Sequence, residues 1–516
     1  MKKKIVLIKP RNIFGYSSYP PLELLTIGTM MHENGYDVKI VNAATQKNYK
    51  ELLLEECKDA FIVGLTGYTS EIKSAIEITD FIKKNFNTPI VWGGWHTTLF
   101  PHQTCCDKNI DFVIIGEGDY STVKLVRELE ETRKFKNISG LGFKKNGNTI
   151  INTLGKYVDI EKLPLVKYDL IKISDYTNTK LTDYFSRKKN IWLPYQSSRG
   201  CPHRCAFCIN TVTNNNKYRK KSAKKVIDEV KLLIQKYELT HIRIIDDNFF
   251  VDRKRVKEIC EGFIENKFDI TWDAECRVDY FRKGHLDDDL LKLCTKSGLI
   301  ELTLGCESGS QKILDYMKKD IKVENIITAV KQCHEHSIIP RCSFMVGIPE
   351  ESKDDILMTA KLINKLRKIE PKMACGVATF RPYPKSEMCE YLKKEGIFRE
   401  PKTLREWATK KYIQYYTERS YKQPWQLHPK LAYNISFYYT ASGGILITND
   451  QIKNSFLKKI NSFFIQMAKK RTEHLFFIFP VDRYLYNLFY RMCYKYNSIR
   501  KKDVKIYAKH SCNNCC

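Results

Sequence analysis

Apolar residues in the first 135 positions alternate between two patterns. Short unbroken runs at 4–8, 38–42, 61–66, 89–92 and 112–115 predict strands buried on both faces. Between them, apolar residues recur with helical spacing at 22–34, 50–57, 71–85 and 122–130. Strands and helices in strict alternation predict a parallel, doubly wound sheet. Ligands of such sheets bind beyond the carboxyl ends of the strands. Those ends are Thr66-Gly67-Tyr68-Thr69-Ser70, Gly93-Gly94-Trp95-His96 and Gly116-Glu117-Gly118-Asp119. Their glycines let a ligand approach the backbone.

A connector is expected over 136–190, with a hairpin at 140–151 turning at Asn146-Gly147. A second βα series follows over 191–390. Strands are predicted at 195–197, 241–245, 270–275, 300–304, 341–346 and 374–380, with helices between them such as 223–237 and 323–336. Six units predict an incomplete parallel barrel, whose chemistry gathers at the carboxyl-terminal face. From 391 to 516 the pattern breaks. Tyr and Phe interleave with Lys and Arg, and a small, mostly helical domain is predicted.

The 516 residues suffice for several packed cores, with 43% hydrophobic and 28% charged residues. The 18 cysteines are scattered through apolar runs, as at Cys306, Cys342 and Cys375, which fits a reducing compartment better than a disulfide framework. The apolar run after Met1 is too short for a signal-peptide core, and no stretch reaches the length of a spanning helix. A cytoplasmic protein is expected. Net charge is +28, of which residues 391–516 carry +16. This excess favours acidic partners; with the aromatics, it suggests peripheral membrane contact through the C-terminal domain. Solvated lysines on an ordinary surface remain the alternative.

The chemistry concentrates in Cys201-Pro-His-Arg-Cys205-Ala-Phe-Cys208. Three thiols this close can serve one metal centre. A structural zinc site takes four protein ligands, and ferredoxin clusters also take four cysteines. Three thiolates on a four-iron cluster leave one iron open. A zinc knuckle completed by His203, or three plain thiols, are the competing readings. A terminal group, Cys512, Cys515 and Cys516, is a weaker metal candidate.

The cysteine run, with Phe207 before its last thiol, resembles the signature of radical S-adenosylmethionine (SAM) enzymes. Further pieces follow the family's order: Asp246-Asp247-Asn248 after the second barrel strand, Arg277 after the third and Gly305-Cys306-Glu307-Ser308-Gly309 after the fourth. Gly347-Ile348-Pro349-Glu350-Glu351 follows the fifth and Arg381-Pro382-Tyr383-Pro384 the sixth. Upstream, Pro21-Leu22-Glu23-Leu24-Leu25, Gly93-Gly94-x-His96 and Gly116-Glu117-Gly118 resemble the cobalamin-binding-type domain of one group of these enzymes. The resemblance covers about residues 1–395.

It implies a Rossmann-like (flavodoxin-like) domain over 1–135, a partial (β/α)6 barrel over 191–390 and a C-terminal domain over 391–516. It implies a 4Fe–4S cluster on Cys201, Cys205 and Cys208, with SAM on the open iron. Phe207, Asp246, Arg277, Glu307, Gly347 and Pro349 are the expected SAM contacts. Thr66, Tyr68, Gly93, Gly94, His96, Gly116 and Glu117 are the expected cobalamin contacts. No Asp-x-His-x-x-Gly occurs, so cobalamin is expected without a histidine on cobalt. The implied reaction is reductive cleavage of SAM and methylation of an unactivated carbon or phosphorus of a metabolite, lipid or peptide. An electron donor such as flavodoxin or ferredoxin is implied, and nucleic acid is not expected as a partner.

Other outcomes stay open. Relatives perform cyclisation or oxidation. An RNA-modifying methylthiotransferase would need a second cluster, for which Cys57, Cys105 and Cys106 are poor candidates. A cluster-bearing sensor or scaffold is the non-enzymatic alternative.

Overall fold

The apolar runs form strands because both faces of each are covered. In β1, Lys4–Lys9, every residue after the first is buried. It is flanked by β2, Asp37–Asn42, and β3, Ala60–Thr66, both parallel to it. β4, Ile90–Gly93, and β5, Phe112–Ile114, extend the parallel series. The hairpin of β6, Leu141–Lys145, and β7, Asn148–Ile151, turns at Asn146 and Gly147, both at positive φ. It is not part of a separate connector, as the sequence suggested. β6 pairs antiparallel with β5, giving a seven-stranded sheet of order β2-β1-β3-β4-β5-β6-β7. Leu141, Phe143, Val158 and Leu163 share one core with Ile5, Leu24, Ile62 and Val126, so apolar burial ties the connector's first half to this sheet.

The computed structural model describes residues 2–12, 19–177, 191–416, 423–443, 452 and 454–495. The chain divides into two units, Met1–Asp183 with Glu400–Tyr416, and Tyr184–Arg399 with Thr417–Cys516. The short segment that joins the first unit was expected in the C-terminal domain. Arg405 holds it there, with its guanidinium 2.7 Å from Asp80 and 2.7 Å from Asp107. The Trp407 indole N–H donates to Gln103 Oε1 at 3.0 Å.

The second unit is built on β8, Trp192–Tyr195; a two-residue antiparallel pair, β9, Ser198–Arg199, and β10, Arg219–Lys220; then β11, His241–Ile244, β12, Thr271–Cys276, β13, Leu299–Glu307, β14, Ile339–Val346, and β15, Ala374–Thr379. Six strands pair in parallel in the order β8-β11-β12-β13-β14-β15. Each neighbour is the next of these six in chain order, and the two end strands do not pair, so the barrel is open as expected. The first strand lies earlier than predicted because Ser197 and Ser198 turn away to bind Asp246.

Side-chain caps start the barrel helices. Ser222, Asp252 and Ser352 accept backbone N–H groups at the beginnings of Ala223–Tyr237, Arg253–Glu265 and Lys353–Ile369. The C-terminal part is helical, with Pro429–Ser442, Ser455–Glu473 and Val481–Lys495. Tyr439 anchors it by donating to Ala360 O at 2.8 Å. Cys512, Cys515 and Cys516 lie outside the described residues. No helix among the described residues is long and apolar enough to cross a membrane.

Candidate cluster and cofactor sites

The cysteine loop leaves β9 through Gly200, whose φ is +82°. A Cβ there would stand 2.0 Å from Lys217 O, so only glycine fits. The loop is fastened at its root. Gly200 N donates to Asp247 at 2.8 Å, while Asp246 accepts Ser197 N at 2.6 Å and the Ser197 and Ser198 hydroxyls at 2.5 Å each. Arg255, also buried, donates to Ser197 Oγ and O.

Polar side chains surround the thiols. Arg277 Nη1 lies 3.7 Å from Cys205 Sγ, and Asn248 Nδ2 lies 3.7 Å from Cys201 Sγ. Burial pushes the Cys208 thiol up to about 12 and raises Cys201. Both are therefore protonated at neutral pH until a metal displaces the protons. Among the described residues, no three Cys, His, Asp or Glu groups converge on one point. His203 is turned to Tyr280, Nε2 to OH 2.8 Å. A cluster takes one thiolate per iron, so its ligands need not meet at one point. Arg277 and Lys319 next to Cys205 suit its negative charge.

The expected SAM contacts divide in two. Asp246 is 0% exposed and its oxygens are taken by the serines, so it braces the loop rather than facing a ligand. Arg277 is likewise engaged by Asp279 and Lys319 O as well as Cys205. It does not pair with Glu307, whose partner is Lys319 at 2.8 Å. Glu307 holds φ +62°, left-handed for a non-glycine residue, at the irregular end of β13. Phe207 is half-buried, with the Lys319 ammonium 5.9 Å from its ring centre. Gly347, φ +74°, and Pro349 close β14, where Glu351 accepts the Gly347 and Ile348 N–H groups.

Sequence reasoning missed three residues here. Lys319 is one. Glu275 is another: it is accessible to solvent, as are Ser343, Gly376 and Ala378. Strand alternation puts Glu275 on the same face of β12 as Asp273, and Ser343 on the same face of β14 as Arg341. Below this accessible layer, Arg341 grips Glu301 at 2.8 and 2.9 Å, and His241 meets Asp273 at 2.8 Å. The lumen is therefore polar. Desolvation pushes the Glu275 carboxyl up to about 7, opposed by Arg243. The alternation of Asp273 and Glu275 with Trp272, Ala274 and Cys276 was the available sequence signal. The third residue is Gln426, which lies against Gly347.

In the first unit, Thr66 ends β3 opposite Gly93 of β4. Gly94 has φ +91°, and a Cβ there would stand 2.8 Å from Thr66 Oγ1. A Cβ on Gly93 would meet only Ile114 O, at 4.0 Å, leaving open backbone at the strand end. Gly116 is also left-handed, φ +72°, and its N–H donates to Thr98. Tyr68 meets Trp95 edge-on at 5.3 Å beside this opening, and Trp95 is exposed. Open glycines and an exposed indole suit a large flat cofactor. Glu117 accepts Val158 N at 2.7 Å. His96 is enclosed, with Phe100 and Trp407 at 5.1 and 5.3 Å and Nδ1 3.2 Å from Thr69 Oγ1. Burial pushes its pKa down to about 3, so the ring is neutral.

Cys57 and Cys105 are buried and Cys106 is exposed.

Comparison with known proteins bears on both units. Residues 195–363 match the radical SAM superfamily and residues 15–126 the B12 binding domain. An uncharacterized methyltransferase of Pyrococcus horikoshii is 29% identical over 402 residues, covering 75% of this chain and 83% of the relative. The anaerobic magnesium-protoporphyrin IX monomethyl ester cyclase of Rubrivivax gelatinosus is 28% identical, covering 73% and 66%. The fold matches the cobalamin-dependent S-adenosylmethionine radical enzyme OxsB, solved with aqua-cobalamin and S-adenosylmethionine bound. That match has a TM-score of 0.70 at 17% identity and covers 95% of this chain and 75% of that one.

Proposed function

This chain belongs to the radical SAM enzymes that carry a cobalamin-binding domain, and from that premise we propose that it methylates an unactivated carbon or phosphorus centre of a small molecule, lipid or peptide. When bound, the cluster supplies an electron to the sulfonium of SAM and the cobalamin supplies a transferable methyl group. The chain's own groups hold and tune these. Cys201, Cys205 and Cys208 bind the cluster, and Arg277 and Lys319 offset its charge. The Asp246–Ser197–Ser198 clamp fixes the loop, and Glu307, held by Lys319, stands at the mouth of the barrel. The observation that carries the reading is a loop of three thiols beside two buried cations, on a chain that also has the open glycine strand ends of a B12-type domain.

The test is anaerobic reconstitution with iron, sulfide and cobalamin, with products analysed alongside a substrate panel. Methylation consumes two SAM per product, giving one S-adenosylhomocysteine and one 5′-deoxyadenosine with methionine. Cyclisation or oxidation, the reading favoured by the cyclase relative, gives deoxyadenosine without S-adenosylhomocysteine. A protein that holds iron but no cobalt refutes the methylase reading. Replacing any of the three cysteines by alanine should abolish deoxyadenosine formation. A flavodoxin- or ferredoxin-type protein is the proposed electron donor.

For the C-terminal part the proposed partner is an anionic bilayer surface. Val481, Tyr484, Leu485, Leu488 and Met492 form one exposed stripe on Val481–Lys495, and the preceding turn exposes Phe479 at 75%. The opposite stripe, including Tyr486 and Phe489, packs inward. Lys469, Lys470 and Arg471 close the neighbouring helix, and residues 391–516 carry +16. Apolar side chains with basic neighbours match an acidic headgroup layer. The full chain should float with phosphatidylglycerol vesicles at low salt, and far less with phosphatidylcholine. The pair Leu485→Asp and Leu488→Asp should abolish flotation. Flotation unchanged by this pair, or none at all, overturns the proposal; self-association through the stripe would appear instead as a concentration-dependent dimer.

A further inference from the structure

Gln426 is 8% exposed, and neither its Nε2 nor its Oε1 has a hydrogen-bond partner among the described residues. A buried carboxamide with both ends unpaired is costly, and such groups are rare in native structures. Its position points to what would satisfy it. Gln426 precedes the helix Pro429–Ser442 and lies directly on Gly347 at the carboxyl end of β14. A Cβ on Gly347 would stand 2.3 Å from Gln426 Nε2, so residue 347 must be glycine for the amide to lie there. The adjacent Trp425 meets Phe380 edge-on at 6.2 Å, just past β15. The segment therefore crosses the ends of the fifth and sixth barrel strands, on the face where such barrels bind their ligands. The backbone beneath is fixed, because Glu351 Oε2 accepts Gly347 N at 2.5 Å and Ile348 N at 3.2 Å.

A carboxamide presents a donor and an acceptor side by side. Adenine offers the complementary pair, an exocyclic amino donor next to a ring-nitrogen acceptor, and glutamine reads it with two hydrogen bonds. SAM, which the radical SAM domain binds, carries this edge on its adenine alone. We propose that Gln426 reads the adenine of SAM: Oε1 accepts from the amino group and Nε2 donates to the ring nitrogen. The C-terminal part thereby supplies a specificity determinant to the barrel. The inference rests on SAM binding and is independent of whether the product is methylated.

The test uses the cluster-reconstituted full chain and two stable ligands. One is S-adenosylhomocysteine. The other is its purine analogue, with hydrogen in place of the exocyclic amino group. Affinities are measured by anaerobic calorimetry, without turnover. The wild type should prefer the adenine compound about tenfold, and Gln426→Leu, similar in shape but apolar, should reduce the preference to about threefold or less. If the wild type binds both ligands equally, the proposal fails without reference to any variant. If Gln426→Leu keeps the full preference, the amide faces something other than adenine and the proposal fails. If neither ligand binds the wild type, the premise of SAM binding fails with it.

Discussion

Replacing Asp246 by asparagine separates two roles that its place after the second barrel strand leaves open. The sequence suggested a SAM contact, whereas the structure shows a clamp: three donors from Ser197 and Ser198 converge on a fully buried carboxylate. Asparagine keeps the shape but turns one acceptor into an N–H₂ group that confronts donors. If it replaces Oδ2, both serine hydroxyls lose their acceptor. Hydrogen bonds to a charged group contribute about 1.5–3 kcal/mol each. Buried Arg255, which donates to Ser197 Oγ, also loses its nearby negative charge. The expected loss is about 3–5 kcal/mol, a fall of about 10 °C in the melting temperature of a unit this size. The assay is anaerobic calorimetric melting, with iron per chain and S-adenosylhomocysteine affinity measured on the same preparations. Melting and iron content should fall together, with affinity retained in the fraction that keeps its cluster. An unchanged melting temperature with weakened affinity would refute the clamp and restore Asp246 as a ligand contact.

Gly200→Ala should prevent cluster assembly, since its Cβ would overlap Lys217 O and the left-handed φ is strained for alanine; iron per chain and the visible absorption of the reconstituted protein check this. Burial pushes the Glu351 carboxyl up to about 8, although two backbone N–H groups oppose it. A raised carboxyl pKa stabilises the fold fully below its unfolded value and loses that contribution as pH rises through about 8. Glu351→Gln should therefore flatten the fall in melting temperature between about pH 5 and 8, and an unchanged slope would count against a protonated Glu351. His96→Phe should leave cobalamin binding intact; the cobalt(II) form should show no protein nitrogen coupling by electron paramagnetic resonance in either protein, and such coupling in the wild type would contradict the enclosure of His96.

The elements were legible because burial is periodic. Unbroken runs such as Lys4–Lys9 make strands covered on both sides, and the serine and aspartate caps mark where helices begin. The three cysteines were legible because their spacing is local. What stayed hidden depends on which distant segment covers a given face, and periodicity does not encode that. Lys319 reaches Glu307 from twelve positions later, and Gln426 lies on Gly347 from a separate helix-capping segment. Arg405 carries its stretch to Asp80 and Asp107 in the first unit. The acidic residues show the same limit. Asp246 follows an apolar strand run, whereas Glu275 lies within one, alternating with Trp272, Ala274 and Cys276. Two preceding serines close off Asp246, whereas Glu275 faces an accessible lumen beside Arg243. Which carboxylate stays uncovered therefore depends on its neighbours in space, and in this barrel it is Glu275 rather than Asp246.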